Sequence, residues 1–282
     1  VTPVRFWKVE SVGNHFVLIE GPVTGGADLS EAALRLCAHR TGVGADGLLV
    51  AHRLDGAVSL RMFNSDGTED FCGNGLRCAG LHAYLEGWVG ERFAIWHGGR
   101  WIPCEVSGDQ VAVALPPASF ESHDIPSLLP SGERAIVAGL AGIPVSTGSP
   151  HFVAIVPELP DDTTFLRVSR AVETASEFPE SISVIWTRPD GPRELSLRIW
   201  ERGVGETFGC GTGSVAAASV WARQTGSTGP ILVRNPGGPV RVDVRDDGSV
   251  SSTSPSRVFR GEVSLNFWSP PKTAAWLPTS LR

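Results

Sequence analysis

A chain of 282 residues, with 41% hydrophobic and 19% charged side chains, has the balance of a globular protein and the length for two domains with substantial cores. Its net charge of −6 and the lack of any Lys/Arg-rich run argue against nucleic-acid binding. No stretch approaches the roughly 18 consecutive apolar residues of a membrane span. The first residues also lack a secretory-signal pattern, so a cytoplasmic location is expected.

In chain order, the first element is the strand FVLIE, entered through Gly13-Asn14-His15. A helix is expected at 30–40 (SEAALRLCAHR), followed by strands GLLVAHR and VSLRMF. Asn64 and the segment SDGTEDF lead into Cys72-Gly73-Asn74-Gly75 and a helix over 75–87. Strand VAVALP closes this half, and the prolines of LPPASF at 115–120 mark a boundary. The second half opens with TGSPHFVAIV and continues through SVIWT and LSLRIW. It passes along ERGVGETF into Cys210-Gly211-Thr212-Gly213 and a helix over 213–225, and strands ILVRN, VRVDV and GEVSLNF follow. Many short strands with about one major helix per half read as α+β rather than a doubly wound sheet.

The two halves repeat one order. Each carries a Gly, a small polar residue and His-Phe-Val-x-Ile, then a strand, a Gly-rich turn with an acidic residue, and Cys-Gly-x-Gly before a helix. The expected halves are 1–116, carrying Cys72, and 117–262, carrying Cys210. A C-terminal segment from about 263 to 282 is expected to pack back on the first half.

Five cysteines, an odd number with no C-x-x-C pair, point to reduced thiols rather than a disulfide framework or a zinc site. The only lysines, Lys8 and Lys272, stand near the ends in no recognisable site motif, which argues against a pyridoxal-phosphate Schiff base. No cofactor and no metal are expected.

Cys72 and Cys210 each stand where a Gly-rich turn enters a helix. Helix N-termini offer unpaired N–H groups and partial positive charge, which lower a thiol pKa toward neutrality and can hold a carboxylate. Two such termini facing one cavity could grip a substrate carboxylate and set a sulfur on either side of the adjacent carbon. That arrangement suits inversion at a carbon α to a carboxylate, one thiolate removing a proton while the opposite thiol supplies another. Cys37, Cys78 and Cys104 lack this setting and read as core residues. GVGETFG has the wrong spacing for a dinucleotide fingerprint. Taken alone, His151 reads equally as a structural histidine, and Glu201-Arg202 as a surface pair.

The blocks SVGNHFVLIE, TGVGADGLLV, FNSDGTEDFCGNGLRCAG, STGSPHFVAIV and WERGVGETFGCGTGS resemble the diaminopimelate epimerase family along nearly the whole chain. The resemblance implies two similar α+β domains, each a β-barrel-like sheet wrapped around a central helix, an active site between them, and usually a homodimer. It also implies a cofactor-independent enzyme of lysine and peptidoglycan-precursor biosynthesis acting on a small amino acid. By motif position, Cys72 and Cys210 match the catalytic acid/base pair, and His151 and Glu201 match the groups tuning them, one beside each. Gly73-Asn74 and Gly211-Thr212 match the cradle for the reacting carboxylate. Asn14, Asn64, Glu201 and Arg202 match further substrate contacts, with Arg and Asn side chains reading the distal end. The chain departs from the family at His15, usually Asp, at Ser149 and Ser183, usually Asn, and at Gly47, commonly Gln. Two rivals to a diaminopimelate epimerase follow: a cofactor-independent racemase of another amino acid, and a thiol redox protein cycling Cys72 and Cys210 through a disulfide.

Overall fold

The computed structural model describes residues 3–21 and 28–264. The first half contains β1 (Val4–Ser11), β2 (Asn14–Glu20), α1 (Leu29–Cys37), β3 (Gly47–Arg53), β4 (Val58–Asn64), α2 (Gly73–Leu85), β5 (Arg92–His97), β6 (Arg100–Ser107) and β7 (Gln110–Leu115). The second contains β8 (Ala135–Val137), β9 (Leu140–Ser146), β10 (Pro150–Ile155), α3 (Asp162–Glu173), β11 (Ser183–Gly191) and β12 (Glu194–Glu201). It continues with β13 (Gly205–Thr207), α4 (Gly211–Thr225), β14 (Ile231–Asn235), β15 (Gly238–Arg245) and β16 (Gly248–Thr253), and β17 (Ser256–Val263) ends the described chain.

The sheet order carries the repeat. In the first half β1–β2 is antiparallel, β2–β3 parallel across α1, β3–β4 antiparallel, β4–β5 parallel across α2, and β5–β6–β7 a meander. In the second, β9–β10, β10–β11 across α3, β11–β12, β12–β14 across α4, and β14–β15–β16 reproduce those orientations in that order. The halves join where β7 pairs with β16, Leu115 opposite Ser249. β17 returns to pair with β1, Val4 opposite Val263, so Ser256–Val263 rejoins the first half. The rest of the expected C-terminal packing segment, from 265, lies outside the described residues. Within the described residues neither sheet closes on itself, so each is barrel-like rather than a closed barrel.

α2 and α4 are the axial helices. Every residue from Gly73 to Ala83, and from Gly211 to Val220, is buried, and each helix touches nearly every strand of its half. A helix buried all round needs no polar face. The Gly- and Ala-rich sequences GNGLRCAG and GTGSVAAA let strands close in from all sides. The helix α3 is absent from the sequence reading. Its Asp161 side chain accepts from the Thr164 N–H, and Phe165, Val168, Ser169 and Val172 face the core at helical spacing. Its signal was diluted by Thr and Val, which lower helix propensity. Among the described residues no helix is long and apolar enough to cross a membrane.

Candidate active site

The two cysteines are N-caps in nearly superimposable settings. Cys72 (φ −138°, ψ 112°) caps α2 and its sulfur accepts from the Gly75 N–H at 3.4 Å. Cys210 (φ −130°, ψ 115°) caps α4 and accepts from the Gly213 N–H at 3.3 Å. Each cysteine's own N–H is also held. Cys72 N–H donates to His97 Nε2 at 3.3 Å, and Cys210 N–H to Asn235 Oδ1 at 3.4 Å. His97 ends β5 and Asn235 ends β14, equivalent strands of the two halves. His97 Nδ1 lies 3.0 Å from the Leu60 carbonyl, which fixes a tautomer with the proton on Nδ1 and an acceptor on Nε2. Sequence reasoning missed both acceptors. Their signal is a polar residue closing a strand before a Gly-rich turn, His97-Gly98-Gly99 and Asn235-Pro236-Gly237-Gly238.

The cradle residues lie together. A Cβ built on Gly73 would stand 3.9 Å from the Gly211 Cα, which brings the two helix N-termini face to face. Asn74 Nδ2 crosses between the halves to the Gly209 carbonyl at 3.4 Å and donates to Asn14 Oδ1 at 2.6 Å. Asn14 Nδ2 donates in turn to Asp46 Oδ2 at 3.2 Å. Thr212 Oγ1 lies 3.4 Å from the Cys210 sulfur, and its carbonyl accepts from Thr147 Oγ1 at 2.9 Å.

The thiols do not behave as the helix ends alone would dictate. Burial raises the Cys72 pKa to about 11, against the pull of the Gly75 N–H. Burial, followed by the Glu201 carboxylate, raises Cys210 well above its ordinary value. Loss of water thus outweighs the N-terminal field and disfavours ionisation of both sulfurs. Glu201 faces both sulfurs, accepts from Thr207 Oγ1 at 2.6 Å, and is itself raised, first by burial.

His151 is the other expected tuning group. It is 1% exposed on β10, and neither ring nitrogen has a hydrogen-bond partner among the described residues. Burial, then the Arg202 charge, lowers its pKa to about 3. The Glu201 carboxylate opposes ionisation of both cysteines.

Ser183 Oγ accepts from the Arg202 N–H at 3.0 Å, and Arg202 Nη1 donates to the Glu180 carbonyl at 2.9 Å, so the serine anchors the backbone of the arginine. Ser149 sits half-buried in the turn before β10, its carbonyl accepting from the Thr147 N–H at 3.2 Å. Asn64 Nδ2 reaches Thr68 Oγ1 at 3.1 Å and Asp70 Oδ2 at 3.5 Å at the end of β4. A Cβ at Gly47 would meet the Phe63 carbonyl oxygen at 2.6 Å, so a longer side chain there requires β4 to move away. His15 Nδ1 pairs with Lys8 Nζ at 2.8 Å, and its N–H donates to Asp46 Oδ2 at 2.9 Å.

The sequence profile described as diaminopimelate epimerase matches residues 6–120 and 143–264. The chain belongs to the diaminopimelate epimerase family. It is 35% identical over 280 residues to the diaminopimelate epimerase of Methanothrix thermoacetophila, covering 93% of this chain and 96% of that one. It is 32% identical over 277 residues to that of Synechococcus elongatus, covering 93% and 99%. Among solved structures, a hydroxyproline epimerase from Agrobacterium vitis matches with a TM-score of 0.67 at 13% identity, over 93% of each chain. A phenazine biosynthesis protein of the PhzF family from Bacillus anthracis matches with 0.66 at 16% identity, over 94% and 100%. These structures share the two-domain α+β fold. The protein is an isomerase of the epimerase class.

Proposed function

We propose that this member of the family inverts L,L-diaminopimelate to the meso form by two-base proton transfer between Cys72 and Cys210, without a cofactor. The observation that carries the reading is the pair of N-cap cysteines on abutting helix ends, each in the same hydrogen-bonded setting. The N–H groups of Gly73-Asn74 and Gly211-Thr212 receive the α-carboxylate and stabilise the charge that grows on it as the carbanion forms. The Cys72 thiolate takes the α-proton from one face, and the Cys210 thiol gives its proton to the other. The products are a Cys72 thiol, a Cys210 thiolate and the inverted carbon. The reverse reaction exchanges these roles. Glu201 opposes ionisation of both sulfurs but ranks next after burial only at Cys210, which favours the assignment of Cys210 as the initial acid. Arg202 and Asn64 supply the distal contacts.

A second reading has its own support. Gly47, Ser149 and Ser183 carry no amide where the family resemblance implies Gln and Asn, and Ser183 is already engaged with the Arg202 backbone. That pattern would suit a shorter or uncharged distal group. Steady-state kinetics on L,L-diaminopimelate and a panel of monocarboxylic amino acids separates the two. A higher kcat/KM for diaminopimelate supports the first reading, and a clear preference for a panel member replaces the substrate while leaving the two-thiol chemistry in place.

A further inference from the structure

Arg77 is a fully buried arginine with no carboxylate partner among the described residues. It lies on α2 beyond Cys72. Its Nη1 donates to Ser251 Oγ on β16 at 2.7 Å, its Nη2 donates to Asn74 Oδ1, and its Nε has no partner. The ionisable groups that act on it most are thiols: Cys72 and Cys78 on its own helix, Cys104 on β6 and Cys210 on α4. A Cβ on Gly211 would stand 2.9 Å from Nη2, and one on Gly73 would stand 3.9 Å from Nη1. The guanidinium is therefore wedged between the first turns of both axial helices.

A buried cation without an anion is costly, and here two helix N-termini add positive potential to it. Burial lowers the Arg77 pKa only to about 10, so the group stays charged through the neutral range. The charge that would balance it is the charge the reaction brings. One thiolate and one substrate carboxylate offset the guanidinium and two helix ends of roughly half a charge each. We propose that Arg77 is a positioning residue that holds a buried countercharge between the two thiols and favours whichever of Cys72 and Cys210 is ionised. This rests on reading those cysteines as the proton-transfer pair. During turnover the negative charge passes from one sulfur to the other, and a cation seated between the two helices serves both directions. Glu201 acts against ionisation of both sulfurs, so an opposing charge within reach of both is needed.

The test follows alkylation of Cys72 and Cys210 by uncharged iodoacetamide against pH, peptide by peptide, by mass spectrometry. It needs no substrate, so it stands apart from the choice of substrate. The proton-transfer reading itself fails separately, if Cys72→Ser or Cys210→Ser retains activity. Arg77→Met is expected to move both alkylation midpoints upward by about one unit, slowing modification about tenfold at a fixed lower pH. Arg77→Lys should recover most of that shift. Ser251→Asp leaves the arginine in place but gives it a carboxylate. It is expected to fold and to move the midpoints in the same direction, whereas Ser251→Ala should leave them unmoved. Should Arg77→Met not fold, Ser251→Asp decides alone. Unmoved midpoints in a folded Arg77→Met or Ser251→Asp protein overturn the proposal. So does a Ser251→Asp protein that fails to fold, because a buried cation short of an anion should accept one.

Discussion

Gly73 and Gly211 meet backbone to backbone, a Cβ on the first reaching to 3.9 Å from the Cα of the second. This contact between α2 and α4 sets the separation of the two N-cap sulfurs. A methyl group at 211 would press to 2.9 Å from Arg77 Nη2 and 3.2 Å from Asn74 Oδ1. Gly211→Ala is expected to cost about 1–3 kcal/mol by overpacking and to slow turnover on the order of a hundredfold by misplacing one thiol. Denaturant unfolding and kinetics on one preparation check both. Wild-type turnover would show that the contact does not set the geometry of the reaction.

The pH dependence of stability follows from buried histidines and thiols. Burial lowers His82 to about 4 and His151 to about 3, below the unfolded value near 6.5. The folded state binds fewer protons there, so stability is held above about pH 6.5 and lost as pH falls toward those values. Burial raises Cys72 to about 11 and Cys37 and Cys104 to about 12, above the unfolded value near 8.5. Their contribution is held below about pH 8.5 and lost as pH rises through the folded values. Tm is expected to be highest between about pH 7 and 8 and to fall on both sides. His82→Gln should flatten the acid side, and a Tm unchanged from pH 7 to 5 would contradict the assignment of buried neutral histidines.

Asn235 ties the Cys210 N–H to Ser214, whose hydroxyl donates to the Cys210 carbonyl at 2.8 Å. Asn235→Ala leaves a buried N–H and hydroxyl short of partners, at a cost of about 1–3 kcal/mol. Turnover should drop with KM little changed, because the thiol is displaced while the distal contacts stay. His97→Ala should do the same for Cys72. Chemical denaturation and a split of kcat from KM test each. Raised KM with normal kcat would place these residues in substrate binding instead.

The substrate's distal end supplies a third comparison. Arg202→Ala should raise KM for diaminopimelate by on the order of a hundredfold through loss of a charged hydrogen bond. Ser149→Ala should change it by less than about threefold, since water can bridge there. Ser183→Ala frees the Arg202 N–H and should fall between the two. Equal effects of Arg202→Ala and Ser149→Ala on KM would remove the arginine from the distal site.

Much of this was legible in the sequence because the duplication wrote it twice. The paired Cys-Gly-x-Gly entries located both N-caps and both axial helices, and the paired His-Phe-Val strands located β2 and β10. What one strand hides is the partner it acquires in the fold. Arg77 reads as an ordinary helical arginine until Ser251, Asn74 and Gly211 converge on it. His97 and Asn235 fall far from the cysteines in sequence and meet them only through the parallel β4–β5 and β12–β14 crossovers. The thiol pKa values went the other way from the helix-end argument because burial depends on strands from the whole half, which no local motif encodes.

The two-thiol account meets its most direct test in deuterium oxide. L,L-diaminopimelate is incubated with the protein to low conversion, and deuterium is located in both product and recovered substrate. Two bases on opposite faces deliver a solvent-derived deuteron to the product, while the substrate returned from the same face regains the proton it lost. The expected result is meso product with one deuterium at the inverted carbon and recovered L,L substrate still protiated, with no deuterated product formed by Cys72→Ala/Cys210→Ala. Deuterium appearing equally in recovered substrate and product at early times would mean a single exchanging base, and would contradict the account.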